Sequence, residues 1–232
     1  MLRVAALQYC ASDNVAKTLH HIQPLIAEAA TKASLVALPE CANYLAASRE
    51  QLFQKAEWDD KSYSQKWLSN IAREFSIWLL AGSLIMRRRD NNQLANRSLL
   101  FGPDGEVIAY YDKIHMFDAD VGDGKMYRES ASFSAGQSPV IAHIDNVPCG
   151  LTICYDVRFA HLYRQLALDG AQLFLVPAAF TALTGKAHWH VLLRARAIET
   201  GCYIVAPAQS GTHADGRKTY GHSLIINPWG EL

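Results

Sequence analysis

The sequence predicts a layered α/β sandwich built around a mixed sheet. Amphipathic helical stretches alternate with short apolar strands along most of the chain, and a hairpin interrupts that alternation near the middle. Hydrophobic residues make up 50% of the 232 residues, which is enough to bury a substantial core. Because no repeat, linker or low-complexity stretch divides the chain, we expect one domain over residues 1–232.

The first half of the chain begins with an extended apolar stretch and continues with a capped helix. Asp13-Asn14 is typical of a helix start, and apolar residues then recur every three or four positions to about Lys32. Between two later apolar runs, Gly102-Pro103-Asp104-Gly105 predicts a hairpin turn. The other expected elements are strands over 2–9, 34–40, 77–85, 98–101 and 107–110 and a helix over 62–75.

The second half contains a long irregular segment and then returns to alternation. Residues 115–138 are rich in Asp, Gly and Ser and have no clear period, so we expect a loop of a length that usually serves function. In this loop Gly122, Asp123 and Gly124 favour a mobile lid. The elements expected after it are a strand ending near 154, helices over 159–169 and 187–200, and strands over 172–178, 202–208 and 222–226.

The charge, cysteine and histidine content argues against several classes of protein. The 22 basic and 22 acidic side chains cancel, whereas nucleic acid and anionic membranes usually require a basic face, so a small molecule is the expected partner. Five cysteines without a C-x-x-C pair disfavour disulfides and structural zinc. His188 and His190 are two apart on a predicted helix and point to different sides, which disfavours a metal site. With no signal-like N-terminus and no apolar run of about 20 residues, we expect a cytoplasmic protein.

Cys154 is the candidate nucleophile. It lies where an apolar strand ends, and a helical pattern begins soon after it, at about Phe159. A side chain at such a turn is held at the edge of the sheet beside the positive end of the next helix, which predicts an exposed thiol with a lowered pKa. Taken alone this is a weak indication, since most cysteines in apolar strands are inert core residues.

Glu40 and Lys113 give this cysteine a chemical context. Glu40 ends an apolar strand, the edge where α/β proteins place their chemistry, and Lys113 follows the hairpin just before the long loop. Each residue alone is more simply read as a surface charge. Together they supply thiol acyl transfer: Glu40 takes the thiol proton and returns it to the leaving amine, while Lys113 and the Tyr155 N–H stabilise the oxyanion. This chemistry needs neither a metal nor a cofactor.

These motifs resemble the nitrilase superfamily of carbon–nitrogen hydrolases, whose Glu-Lys-Cys triad falls in the same order along the chain. The likeness covers the whole sequence and is closest to the Nit branch of the superfamily. The stretches that carry it are 38–40, 111–115 and 150–159 for the superfamily, and 115–121, 187–200, 220–223 and 227–230 for the branch.

The resemblance implies a four-layer αββα sandwich that dimerises through helices, so we expect a homodimer. It also implies the roles of the site residues: Glu40 as the base, Lys113 as the oxyanion-stabilising cation and Cys154 as the nucleophile. A second glutamate of the family, which orients the lysine and the substrate, matches Glu129.

The resemblance further implies a small amide as the substrate. The Nit branch cleaves deaminated glutathione to 2-oxoglutarate and cysteinylglycine, or acts as an omega-amidase on 2-oxoglutaramate. The stretches 192–200 and 208–213 resemble the first group more closely. We therefore expect deaminated glutathione as the substrate, with omega-amidase activity as the alternative.

Four residues are candidates for the substrate-binding surface. Tyr155 follows the nucleophile, and Arg158 either anchors a substrate carboxylate or forms an ion pair with Asp156. Phe180 and Thr181 leave the strand after the helix that follows the nucleophile, which places them at the pocket rim.

The end of the chain departs from the family pattern. It stops at 229–232, whereas the family normally continues with another strand pair, so we expect a domain without its usual C-terminal strands and with an unpaired sheet edge. A truncated, inactive binding or scaffold protein is the alternative from a different class. The intact residues that argue against this alternative are Glu40, Lys113, Glu129 and Cys154.

Overall fold

The computed structural model of the protein describes residues 2–122, 124 and 126–232. The α-helices are α1 (Val15–Ala30), α2 (Arg49–Lys55), α3 (Tyr63–Phe75), α4 (Ala160–Leu168), α5 (Ala182–Thr184) and α6 (His190–Thr200). The strands are β1 (Val4–Ala6), β2 (Gln8–Tyr9), β3 (Leu35–Ala37), β4 (Glu57–Trp58), β5 (Trp78–Leu80), β6 (Leu84–Arg87), β7 (Leu94–Phe101), β8 (Val107–Asp112), β9 (Asp118–Asp120), β10 (Met126–Arg128), β11 (Val140–Ile144), β12 (Val147–Leu151), β13 (Leu173–Leu175), β14 (Tyr203–Ala206), β15 (Ala208–Thr212), β16 (Lys218–Tyr220) and β17 (Leu224–Ile226). None of the helices in these ranges is long and apolar enough to cross a lipid bilayer.

Two mixed sheets hold most of the strands. The first sheet has the order β1-β3-β5-β7-β6-β4, and β8 pairs with the other side of β7. The second sheet has the order β11-β12-β13-β14-β17, with β12, β13 and β14 parallel. A ribbon of β2, β15 and β16 lies beside them. The parallel strands of each sheet, β1, β3 and β5 in the first and β12, β13 and β14 in the second, end at one edge of that sheet.

Alternating side chains in one strand separate the two faces of the first sheet. In β3, Leu35 and Ala37 belong to the core shared with the second sheet, whereas Val36 belongs to the core that contains α1 and α3. On the second sheet, Phe174 packs edge-on against Tyr163 of α4. The layers are therefore helices, sheet, sheet and helices, which confirms the expected αββα sandwich.

Local sequence signals fix the helix starts as expected. The Asn14 side chain accepts a hydrogen bond from the Lys17 N–H at 3.0 Å and caps α1, and Ser62 caps α3 by accepting from the Gln65 N–H at 2.9 Å. The later helices α4 and α6 lie within three residues of the ranges expected from periodicity. A π-helical turn over Gly185–Trp189 leads into α6.

The apolar run 77–85 forms two strands, so the prediction of one strand is wrong. The chain breaks between β5 and β6 at Gly82, whose φ of 67° lies in the left-handed region. A Cβ at this position would lie 2.0 Å from the carbonyl oxygen of Pro39. The break thus lets the chain pass directly against the backbone that precedes Glu40.

The runs 2–9 and 202–208 are also divided between sheets. Their first parts, β1 and β14, belong to the two main sheets, while β2 and β15 pair with each other in the ribbon. In the second run Pro207 marks the break, because proline has no N–H to donate to a strand ladder.

The segment 115–138 is not the structureless loop that was expected. It contains the antiparallel pair β9 and β10 and a 3-10 turn over Glu129–Ala131. Strands of three residues are too short to produce a readable alternation, which explains the wrong prediction. The expected lid includes Asp123, which lies outside the described residues.

Candidate active site

Glu40, Lys113, Glu129 and Cys154 line one cavity of about 570 Å³. Glu40 and Cys154 each lie three residues beyond a parallel strand, β3 and β12 respectively, and Lys113 directly follows β8. Glu129 opens the 3-10 turn after β10. The structure therefore brings together the four residues that the sequence singled out.

Lys113 is a buried cation held between two carboxylates. Its Nζ lies 3.0 Å from Oε1 of Glu40, and 3.0 Å and 2.8 Å from the two carboxylate oxygens of Glu129. Burial alone would lower the pKa of the Lys113 ammonium, but the two adjacent carboxylates outweigh burial and raise it well above its usual range. Lys113 is therefore a fixed positive charge on the cavity wall.

The Glu40 carboxylate accepts hydrogen bonds from three groups. Besides Lys113, Oε1 accepts from Nδ2 of Asn96 at 2.9 Å, and Oε2 accepts from the Ala179 N–H at 2.8 Å. Burial opposes ionisation, yet the charge of Lys113 and the hydrogen bonds lower the pKa of the Glu40 carboxyl below its usual value. Glu40 is thus ionised at neutral pH and available to accept a proton.

Cys154 occupies a tight turn between β12 and a 3-10 turn over Cys154–Arg158. Its φ of 46° lies in the left-handed region, which a residue with a Cβ rarely adopts. The carboxylate of Asp156 holds this turn, accepting from the Ile153 N–H at 2.8 Å and from the Tyr111 hydroxyl at 2.8 Å. The surrounding hydrogen bonds therefore stabilise a backbone geometry that Cys154 alone would not favour.

The expectation that Cys154 is an exposed thiol with a lowered pKa is wrong. The residue is 8% exposed, and burial followed by the negative charge of Glu40 raises its pKa well above the usual value, against the opposing charge of Lys113. The following helix α4 begins only at Ala160, so its N-terminus is separated from the thiol by the 3-10 turn. In the resting protein the thiol is protonated and lies beside an ionised carboxylate.

Glu129 is oriented by its own set of donors. Its Oε2 accepts from the Phe117 N–H at 2.7 Å, and its Oε1 accepts from Nδ2 of Asn96 at 3.2 Å. Asn96 therefore bridges the carboxylates of Glu40 and Glu129, and Lys113 forms an ion pair with each of them.

The residues expected to bind substrate, Tyr155, Arg158, Phe180 and Thr181, all line the same cavity. The guanidinium carbon of Arg158 lies 5.7 Å from the ring centroid of Tyr155 and 5.4 Å from that of Phe180. The ion pair considered for Arg158 and Asp156 does not form. The Arg158 guanidinium contacts Nδ1 of His188 at 3.2 Å. Arg158 is thus a cation on the cavity wall beside two aromatic rings.

Two site residues were missed by sequence reasoning. Asn96 is a buried side chain in β7, and its sequence neighbours, an alanine and an arginine, give no signal of its role. Gln209 is also buried; its Nε2 donates to the carbonyl oxygens of Glu40 and Cys41 at 3.0 Å and 3.3 Å. No local pattern marks Gln209, because its partners lie far away in the sequence. The described residues contain no group of three His, Cys, Asp or Glu side chains that could hold a metal ion.

Comparisons with known proteins identify the family of this chain. Residues 3–232 match the carbon–nitrogen hydrolase family. A deaminated glutathione amidase of Synechocystis sp. is 44% identical over 232 residues, which cover 98% of this chain and 85% of the relative. An omega-amidase of Homo sapiens is 39% identical over 226 residues, 95% of this chain and 78% of the relative. The crystal structure of the C. elegans NitFhit protein matches with a TM-score of 0.91 at 34% identity, covering 100% of this chain and 57% of that longer chain.

The αββα fold and the family match define the class of the protein: the chain belongs to the carbon–nitrogen hydrolase family. It is an amidase that hydrolyses a carbon–nitrogen amide bond, and its substrate is a small-molecule amide.

Proposed function

We propose that the protein hydrolyses the γ-amide of deaminated glutathione, giving 2-oxoglutarate and cysteinylglycine through a thioester on Cys154. The proposal rests on one observation above all: the Cys154 thiol, the Glu40 carboxylate and the Lys113 ammonium line one cavity. The choice of substrate is supported by the deaminated glutathione amidases of Synechocystis sp. and Yersinia enterocolitica, which are 44% and 40% identical to this chain.

In the acylation step Glu40 removes the proton from the Cys154 thiol as the sulfur attacks the amide carbon. The base is required because the resting thiol is protonated. The carbonyl oxygen becomes an oxyanion, which Lys113 and the N–H of Tyr155 stabilise. When the tetrahedral intermediate collapses, Glu40 gives its proton to the leaving amine, and cysteinylglycine departs.

In the deacylation step a water molecule attacks the thioester carbon while Glu40 takes one of its protons. The carbon–sulfur bond then breaks, the proton returns to the Cys154 sulfur, and 2-oxoglutarate leaves. Glu129 keeps Lys113 in place during both steps through the two contacts of 2.8 Å and 3.0 Å described above. All protons balance without a metal or a cofactor.

Arg158 is our candidate for binding the carboxylate of the oxo-acid half of the substrate. A guanidinium binds a carboxylate through two parallel hydrogen bonds. Arg158 belongs to the same 3-10 turn as the nucleophile, so it lies on the wall to which the acyl group becomes attached. Phe180 and Thr181 form part of the same wall and contact the carbon chain of the acyl group in this proposal.

Omega-amidase activity on 2-oxoglutaramate is the second candidate. The identity of 39% to the human omega-amidase favours it, and both reactions break the same kind of γ-amide, so the same four residues serve either one. Release of 2-oxoglutarate from each substrate separates the two candidates, with Cys154→Ala as the control. A higher kcat/KM on deaminated glutathione supports the proposal, whereas a higher value on 2-oxoglutaramate contradicts it.

We also propose that the protein is a homodimer, and a cytoplasmic location stays a prediction. The dimer is supported by exposed apolar side chains at one place: Val191 and Ile198 on α6 are more than half exposed, and Ile198 lies next to the segment that contains the exposed Trp229. Light scattering of the wild type should give twice the chain mass. The variant Ile198→Lys should give a monomer, and a monomeric wild type contradicts the proposal.

A further inference from the structure

Arg217 lies on the cavity wall, like Arg158, but has no role in the mechanism described above. It follows the turn between β15 and β16 and lines the same cavity as Cys154. This turn is fixed from inside the protein by the buried ring of His213, which contacts the Ala11 carbonyl oxygen at 3.2 Å and Oγ1 of Thr219 at 2.8 Å. The His213 N–H donates to the Arg217 carbonyl oxygen at 2.9 Å. The position of Arg217 is thus set by a rigid support.

The guanidinium of Arg217 is held in place by a hydrogen bond, but not all of its N–H donors have an acceptor. Its Nη2 donates to Oδ2 of Asp215 at 3.0 Å, and its central carbon lies 5.8 Å from the ring centroid of Tyr127. Its Nε is buried and has no hydrogen-bond partner among the described residues. A buried charged donor without an acceptor is costly. Asp215 therefore holds the Arg217 guanidinium at the cavity wall, and not all of its N–H donors are paired.

Arg217 belongs to a hairpin that contacts the Glu40 segment, on the side of the cavity where the leaving group is expected. Gln209, at the start of the same β15–β16 hairpin, donates to the carbonyl oxygens of Glu40 and Cys41. The hairpin that carries Arg217 therefore packs directly against the segment that contains Glu40. Since Glu40 protonates the leaving amine in the proposed mechanism, the leaving group lies on this side of the cavity.

The charge of the cavity fits a substrate with two carboxylates. Among the described residues that line it, five side chains are cationic and three are carboxylates: Arg49, Lys113, Arg128, Arg158 and Arg217 against Glu40, Glu129 and Asp215. Deaminated glutathione has one carboxylate on the oxo-acid half and one on the glycine of the leaving dipeptide. The omega-amidase substrate 2-oxoglutaramate has only the first of these.

We propose that Arg217 determines substrate specificity by binding the glycine carboxylate of the cysteinylglycine leaving group. This inference rests on the proposed function and assigns the two ends of the substrate to two arginines, with Arg158 at the oxo-acid end. A carboxylate of the substrate accepts hydrogen bonds from the guanidinium of Arg217 at the cavity wall, while Asp215 keeps the guanidinium plane in position. Arg217 therefore favours a dipeptide leaving group over ammonia.

The test compares three amides on the wild type and on Arg217→Gln, using 2-oxoglutarate release as the readout. The amides are deaminated glutathione, the same compound with its glycine carboxylate converted to a primary amide, and 2-oxoglutaramate. We expect the wild type to prefer the acid over the glycinamide by about 10- to 100-fold in kcat/KM. Arg217→Gln should remove that preference and leave hydrolysis of 2-oxoglutaramate within about threefold of the wild type.

Two further variants control the experiment. Arg49→Gln removes another cation of the cavity wall, but Arg49 is already bound to the Ala131 carbonyl oxygen and the Ser132 hydroxyl, so it should retain the preference for the acid. Arg217→Lys keeps the charge without the fork of donors and should retain only part of the preference, which also tests the inference if Arg217→Gln does not fold.

The inference is overturned if both Arg217 variants retain the wild-type preference, or if they lose activity equally on all three amides, since the latter indicates a purely structural role. Failure of the proposed function has a different signature that the wild type alone reveals. In that case the wild-type enzyme releases no 2-oxoglutarate from deaminated glutathione, and the inference is rejected with it.

Discussion

Cys154 and Cys41 line the same cavity, each shortly after a parallel strand and each with φ in the left-handed region, at 46° and 55°. Burial raises the pKa of both thiols, and the charge of Glu40 raises both further. The difference lies in the contact with the base. The closeness of the Glu40 side chain raises the pKa of the Cys154 thiol in addition to its charge, whereas Glu40 acts on Cys41 through charge only. In the proposed mechanism, access to a base distinguishes the two thiols, because they share the strand-end position and the left-handed backbone.

The largest effect that tests this comparison is expected for Cys154→Ala. The variant removes the sulfur that carries the proposed thioester, so turnover should fall by at least about 10⁴-fold. The fold should persist, because alanine occupies less space in the same turn. Steady-state 2-oxoglutarate release measures the first expectation and thermal unfolding the second. Activity close to that of the wild type would reject Cys154 as the nucleophile.

Glu40→Gln sharpens the comparison by giving Cys154 the same lack of a base as Cys41. The amide cannot accept the thiol proton, and we expect a loss of about 10²- to 10⁴-fold in kcat. Substrate should then remain bound and uncleaved, which mass spectrometry under native conditions can detect. The prediction fails if kcat is unchanged or if a thioester accumulates, since accumulation requires an intact first step.

Labelling by a thiol-directed probe compares the two cysteines in one experiment. Cys154 should react faster than Cys41 by about 10-fold or more, because only its proton can pass directly to Glu40. Substrate should slow the labelling, and peptide mapping identifies the labelled site. In Cys154→Ala the fast phase should disappear. Equal labelling of both cysteines would contradict the proposed difference between them.

The Glu40 carboxyl should also be visible in the pH dependence of stability. Its pKa is lowered in the folded protein, so its ionised form stabilises the fold at pH above about 4.3, the usual value for glutamate. This contribution should be lost as the pH falls below that value and through the lower pKa of the folded state. The free energy of unfolding can be measured with denaturant between pH 3 and pH 6, in steps of about half a pH unit. It should fall less steeply with decreasing pH in Glu40→Gln than in the wild type.

The smallest effect is expected for Cys41→Ala, the matched control for the first variant. Because Cys41 has no part in the proposed proton transfers, kcat/KM should stay within about threefold of the wild-type value. The assay is the same 2-oxoglutarate release. A loss comparable to that of Cys154→Ala would show that the two cysteines act together, and would remove the distinction on which the comparison rests.

Local chemistry made much of the fold predictable. The caps at Asn14 and Ser62 and the strand ends before Glu40 and Cys154 were readable because neighbouring residues determine them. The protonation state of Cys154 could not be read from the sequence. It depends on burial and on the nearby charge of Glu40, and both effects require distant segments to meet. The partition of apolar runs into separate strands was missed although Gly82 and Pro207 mark the breaks.

The roles of Asn96 and Gln209 depend entirely on remote partners. Each is a buried amide, and the sequence does not indicate which carboxylate or carbonyl it will meet. A buried polar side chain signals that a partner exists, but only the packing of the two sheets identifies that partner.

The contact at Gly82 has a consequence for how this enzyme can change over evolutionary time. A single methyl group at position 82 would push on the carbonyl of Pro39, the residue before Glu40. Variation there is therefore constrained as tightly as at a reacting residue, even though glycine contributes no functional group. Attempts to broaden the substrate range by mutating the cavity wall should leave Gly82 unchanged. A Cβ atom there would lie only 2.0 Å from the carbonyl oxygen of Pro39, which leaves no room for a side chain.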